Sequence, residues 1–124
     1  MIAIHIRVVG AGLFFLFTFL SGFWLSRAGK PYNGIALTIH KLISLAAAVL
    51  LAVIIHQVNQ ATALHTIEWI ASTVTGLLFL GTVITGGLLS ANNPMPRVIQ
   101  RLHQITPYLT VLSTAVTLYL LLIG

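Results

Sequence analysis

Gly12-Leu-Phe-Phe-Leu-Phe-Thr-Phe-Leu-Ser-Gly-Phe-Trp-Leu-Ser26 is an uncharged apolar run, and it returns later as Gly76-Leu-Leu-Phe-Leu-Gly-Thr-Val-Ile-Thr-Gly-Gly-Leu-Leu-Ser90. Set side by side without a gap, the two agree at eight of fifteen positions: Gly12/Gly76, Leu13/Leu77, Phe15/Phe79, Leu16/Leu80, Thr18/Thr82, Gly22/Gly86, Leu25/Leu89 and Ser26/Ser90. Leucines match by chance in apolar segments, whereas matched glycines, a threonine and a serine point to an internal repeat. One residue dropped in the following turn then pairs Pro31 with Pro94 and His40 with His103. The chain is therefore read as two copies of one unit: an apolar helix, a turn and a second apolar helix.

Composition fixes the setting. Of 124 residues 58% are hydrophobic and only 6% charged, with a mean hydropathy of +1.05, values far outside those of a soluble globular domain. An integral protein of the lipid bilayer is expected. The net charge of +5 could suggest nucleic acid, but it rests on six Lys and Arg that sit beside apolar segments. It reads as a topology signal and as lipid-headgroup contact, with no nucleic-acid partner. The absence of cysteine excludes disulfides, iron–sulfur clusters, thiolate zinc sites and covalently attached c-type haem.

Four spans follow from the hydropathy pattern. The first, Val8 to Ser26, is long enough to cross a bilayer as a helix of roughly 20 residues. It exceeds a typical signal-peptide h-region, and no A-x-A-like site follows it. A turn from Arg27 to Gly34 leads to a second span ending near Ile55, and His56 to His65 reads as a short polar connection. A third span runs from about Ile67 to Leu89. In the turn from Ser90 to Arg97, Asn93 is expected as the N-cap of the last helix with Pro94 at its first position.

The expected fold is all-α and integral to the membrane: a four-transmembrane-helix bundle made of two parallel helix-hairpin repeats. It forms one membrane domain over residues 1–124, with repeat one at about 7–56 and repeat two at about 67–124. Two helices per repeat give both copies the same orientation, with their pseudo-twofold axis along the membrane normal. His40 and His103 then come to one depth on opposite sides of that axis. Arg27, Lys30, Lys41, Arg97 and Arg101 lie in or beside the repeat turns, against Arg7 and the N-terminal amine on the other side. The positive-inside rule puts turns 27–34 and 90–97 in the cytoplasm and both termini outside, with a bacterial inner membrane as the expected location.

The histidines carry the chemistry. Leu37-Thr-Ile-His40-Lys-Leu-Ile-Ser-Leu45 and Gln100-Arg-Leu-His103-Gln-Ile-Thr-Pro-Tyr108 each place an imidazole about six residues inside a span, or roughly 9 Å at 1.5 Å per residue. Ionisable groups at such depth are costly and usually functional. Two neutral imidazoles facing across a bundle suit the axial ligation of a haem iron. Zinc fits poorly, since the sole carboxylate, Glu68, belongs to the other membrane face. Gly22 and Gly86 lie at a similar depth, where glycine lets a flat macrocycle approach the backbone. Lys41, Arg97 and Arg101 are placed to pair with propionates at the cytoplasmic edge.

Plainer readings stand beside these. A histidine near a helix end can be an interfacial polar anchor, and glycines can be helix-packing contacts. His5, His56 and His65 read as exposed residues of the outer face, the sharper reading being a proton or quinone site. Trp24, Tyr32, Trp69 and Tyr108 fit interfacial belts. Pro107 frees the His103 carbonyl and is expected to kink the fourth span. Thr106, Thr110, Thr114 and Thr117 form a stripe on the His103 face that packs or bonds back to the helix.

The arrangement resembles the membrane-embedded b-type cytochromes of the four-helix, cytochrome b-like kind, in which histidines on the second and fourth helices ligate iron and glycines on the first and third make room. The resemblance covers the whole chain as architecture. It implies His40 and His103 as ligands, with Gly12, Gly22, Gly76 and Gly86 as spacers. Two-haem members repeat the histidine on the same helix face. Here His56 follows His40 by sixteen residues, about 160° around the helix, and Tyr119 stands at the matching place in the other half. One haem b is the expectation.

The resemblance further implies an electron-transfer subunit without a complete catalytic site of its own. It would pass electrons between a quinol pool and other redox subunits or a soluble electron carrier, with quinone among its candidate partners. The alternative is a haem-free structural or accessory subunit, or a small transporter. Four-helix multidrug exporters depend on a carboxylate in the first helix, and this first span has none.

Overall fold

The structure is a computed structural model that describes residues 2–91 and 94–123, without the side chains of Ile2 and Ala3. It contains four helices: α1 (Ile2–Ala28), α2 (Gly34–Ala61), α3 (Thr66–Ser90) and α4 (Arg97–Leu122). All four are long and apolar enough to cross a membrane, which is consistent with an integral membrane protein. Such helices satisfy their own backbone groups where lipid offers no partner. α1 packs on α2 and α3 on α4. The chain divides into two compact units, Met1–Gln57 and Val58–Gly124.

The first hairpin turns on two residues. Gly29 ends α1 with φ +74°, the left-handed cap that glycine adopts without a Cβ penalty, and its N–H donates to the Leu25 carbonyl at 3.1 Å. Asn33 opens α2: its Oδ1 accepts the N–H of Ile35 at 2.9 Å and of Ala36 at 3.1 Å. This is an N-cap that satisfies two otherwise orphaned donors. At the end of α1 Arg27 lies over the Phe23 ring, and in the turn Lys30 lies over the Tyr32 ring. Asn33→Ala is expected to destabilise the protein by about 1 kcal/mol, read as a lowered unfolding midpoint in detergent.

Two expected boundaries move. α4 starts at Arg97 with Pro96 as its N-cap, not at Pro94; Asn93 lies outside the described residues. Pro96 disfavours helical backbone at Met95, so a helix cannot run through from Pro94. α2 continues past Ile55 to Ala61, absorbing the first six residues of the expected polar connection. His56 to Gln60 contain neither glycine nor proline, so nothing local stops the helix where hydropathy falls. The chain leaves it at Thr62, and Asn59 Oδ1 takes the N–H of Leu64 at 3.2 Å. His65 then caps α3 in a box with Glu68, whose Oε2 accepts the His65 N–H and whose Oε1 lies 3.3 Å from its Nδ1. The chain's single carboxylate thus has a helix-start role.

The helices of the two halves correspond in register. Adding 64 to α1 numbers gives α3 positions and adding 63 to α2 numbers gives α4 positions, so Gly34 maps onto Arg97, the first residue of each second helix. Four buried positions correspond: Ala11 with Thr75, Ala47 with Thr110, Leu51 with Thr114 and Ile54 with Thr117. The first half fills them with apolar groups and the second with threonine.

Those hydroxyls need partners once buried, and they have them. Thr75 Oγ1 pairs with Ser113 Oγ at 2.6 Å and Thr117 Oγ1 at 3.0 Å across the α3–α4 contact. Thr106, Thr110 and Thr114 donate back to the carbonyls of Leu102, Thr106 and Thr110. The stripe read as packing or back-bonding therefore does both. Thr75→Ala installs the residue that the first half carries at this place but removes both inter-helix bonds. The expected cost is about 1 kcal/mol, within the range of such bonds in membrane bundles, measured by denaturant titration in micelles.

Candidate functional site

Each hairpin builds the same small constellation around its histidine. His40 is six residues beyond Gly34, the first residue of α2, and His103 six beyond Arg97, the first of α4. The two imidazoles therefore sit equally far along their own helices, about 9 Å from the start. Both are half-buried.

Opposite each imidazole, on the first helix of its hairpin, is a glycine. A Cβ built on Gly22 would lie 2.9 Å from His40 Cε1, 3.5 Å from Nδ1 and 3.7 Å from Nε2; one built on Gly86 would lie 2.8, 3.4 and 3.5 Å from the same atoms of His103. The Cε1 edge of the ring rests on the glycine backbone, closer than any side chain at that position would allow. The glycines, placed by sequence at the histidines' depth as spacers for a macrocycle, here make room for the imidazole itself. Gly12 and Gly76 differ: nothing lies within 4 Å of a Cβ at either.

The residue before each glycine holds the ring. Ser21 Oγ donates to the Thr18 carbonyl at 3.0 Å and lies 2.8 Å from His40 Nδ1. Thr85 Oγ1 donates to the carbonyls of Gly81 and Thr82 at 2.9 and 3.0 Å and lies 3.1 Å from His103 Nδ1. The Thr82 carbonyl itself is 3.1 Å from His103 Nδ1. Ser21 and Thr85 escaped the sequence reading because they are not identical. Their signal was the shared hydroxyl directly before the repeated glycine.

The remaining site residues are spread more loosely. Lys41, beside His40, is exposed, as are Arg97 and Arg101 in the first turns of α4. These cations do not obey the repeat: Lys41 maps onto Gln104, Arg97 onto Gly34 and Arg101 onto Thr38. His5, His56 and His65 are exposed. Pro107 lies inside an unbroken α4, four residues after His103, so the His103 carbonyl lacks the amide donor it would meet in a regular helix. Among the described residues no three His, Cys, Asp or Glu side chains gather as a metal-holding group. Within its hairpin each imidazole is thus one donor rather than part of a cage.

Comparison with protein-family models, with curated proteins and with solved structures finds no match to this chain.

Proposed function

We propose that the protein is a membrane electron carrier in which one haem b is held by His40 of the first hairpin and His103 of the second. The observation that supports it is the duplicated imidazole at equal helix depth, seated on a glycine with its Nδ1 against a hydroxyl. Interfacial anchoring needs neither the glycine nor the hydroxyl. A ligand needs both a fixed ring position and a fixed tautomer. The residues would suit haem iron better than zinc, because His40 and His103 would supply two neutral imidazole donors whereas zinc takes at least three protein ligands.

When bound, haem b supplies reversible one-electron chemistry. The chain's own contribution is to hold two nitrogen donors and to keep bulk water out with apolar spans. Lys41, Arg97 and Arg101 offer cations near the helix starts for the propionates. No flavin or nucleotide motif is present in the sequence, so donor and acceptor are other redox subunits, a soluble carrier or a quinone. By the positive-inside rule the site belongs to the cytoplasmic side of a bacterial inner membrane.

The test is spectroscopic. The full chain, expressed in a haem-sufficient host and purified in mild detergent, is expected to be coloured and to give sharp reduced α and β bands after dithionite. A folded, colourless protein that stays colourless when haem is added overturns the reading. The histidines would then act as clamps within each hairpin, in a structural or accessory subunit.

A further inference from the structure

We infer that Ser21 and Thr85 are positioning residues that set the tautomer of His40 and His103, putting the proton on Nδ1 and the lone pair on Nε2. The inference rests on the haem reading for its functional meaning but not for its geometry. The Thr82 carbonyl, 3.1 Å from His103 Nδ1, can only accept, so that contact is a hydrogen bond only if Nδ1 carries the proton. The Thr85 hydroxyl has a single proton and donates it to the Gly81 and Thr82 carbonyls. Its oxygen is left to accept from the same Nδ1–H at 3.1 Å.

The first hairpin repeats the logic with a different residue. Ser21 gives its proton to the Thr18 carbonyl and accepts from His40 Nδ1–H at 2.8 Å. In both hairpins a hydroxyl spends its proton on its own helix, which converts it into an acceptor aimed at the ring. Gly22 and Gly86 close the arrangement by letting the Cε1 edge sit flat against the backbone. Neutral imidazole has two tautomers of similar energy in water, and a ligand in the wrong one must first move a proton. Here that choice is made before anything binds. Donation from Nδ1–H also raises the electron density at Nε2, which favours ferric over ferrous iron and lowers the reduction potential.

The first measurement needs no haem. Full-length protein with ¹⁵N-labelled histidine, in detergent at a pH where imidazole is neutral, is expected to show His40 and His103 as Nδ1–H tautomers in long-range ¹H–¹⁵N spectra. Ser21→Ala should weaken the His40 Nδ1–H signature and leave His103 unchanged, while Ser21→Thr, which installs the hydroxyl of the other hairpin, keeps the parent signature. Thr85→Ala should lengthen or weaken the His103 bond, with part of it retained through the Thr82 carbonyl. Nε2–H tautomers in the parent, or a His40 signature unmoved by Ser21→Ala, overturn the inference.

The second measurement is on haem-loaded protein: Ser21→Ala is expected to raise the midpoint potential and Ser21→Thr to restore it. A potential that does not move in Ser21→Ala also overturns the inference. A parent that shows the Nδ1–H signature but takes up no haem keeps the tautomer assignment and defeats only the haem reading.

Discussion

His40→Ala and His103→Ala are each expected to abolish the low-spin haem spectrum, and the double variant to purify colourless. Removing an outer partner of a metal-bound histidine typically weakens binding by 10–100-fold, so removing the ligand itself should cost more, on the order of hundredfold or beyond. Neither substitution should unfold its hairpin, because each imidazole is half-buried and the helices carry their own backbone bonds. Far-ultraviolet circular dichroism is expected to match the parent. His5→Ala, His56→Ala and His65→Ala serve as controls: these side chains are exposed, and their variants should keep the parent spectrum. Haem retained with unchanged bands in both His40→Ala and His103→Ala would assign the cofactor, if any, to other residues. A loss confined to one variant would instead assign the cofactor to the histidine replaced in that variant, without the other.

The helical architecture was legible because lipid leaves few alternatives: runs of apolar residues without charge must be helices that pair their own backbone. The repeat was legible because glycine, threonine and serine at matched places stand out against leucine. Boundaries were less so. Hydropathy marks where a helix leaves lipid, not where it ends, and α2 runs six residues past Ile55 to Ala61 because nothing in His56–Gln60 breaks it. Pro94 reads as a first helical residue, but Pro96 two places on disfavours helical backbone at Met95, and α4 starts at Arg97. Within the site, the depth of Gly22 and Gly86 could be counted from helix ends. Their direct contact with the imidazoles could not, because it depends on how closely two helices approach and on which way a ring turns. The same holds for Ser21 and Thr85: a serine and a threonine in a membrane helix ordinarily bond back to their own backbone, and these do. Only the three-dimensional arrangement reveals the second bond, to the histidine.

Gly22→Ala and Gly86→Ala are expected to damage the site while Gly12→Ala and Gly76→Ala leave it intact, although all four glycines repeat in pairs. An alanine methyl at Gly22 or Gly86 would fall 2.9 or 2.8 Å from a histidine Cε1, well inside van der Waals contact, and one partner must give. The imidazole is the mobile end of a side chain, but moving it breaks its bond to Ser21 or Thr85. Overpacking of this kind costs about 1–3 kcal/mol. Spent on ligand placement, a cost of about 1.4 kcal/mol is roughly a tenfold loss in haem affinity. Gly12 and Gly76 lie ten residues earlier, about 15 Å along the helix, with open space around them. An alanine methyl at either place meets nothing within 4 Å, so added methyls should change neither the haem content nor the bands. The readout is the haem-to-protein ratio and the midpoint potential of the four single variants prepared in parallel. Equal loss at all four positions would mean that the glycines act together as lipid-facing helix contacts. Loss at Gly12→Ala and Gly76→Ala alone would move the cofactor to the other end of the hairpins, away from His40 and His103.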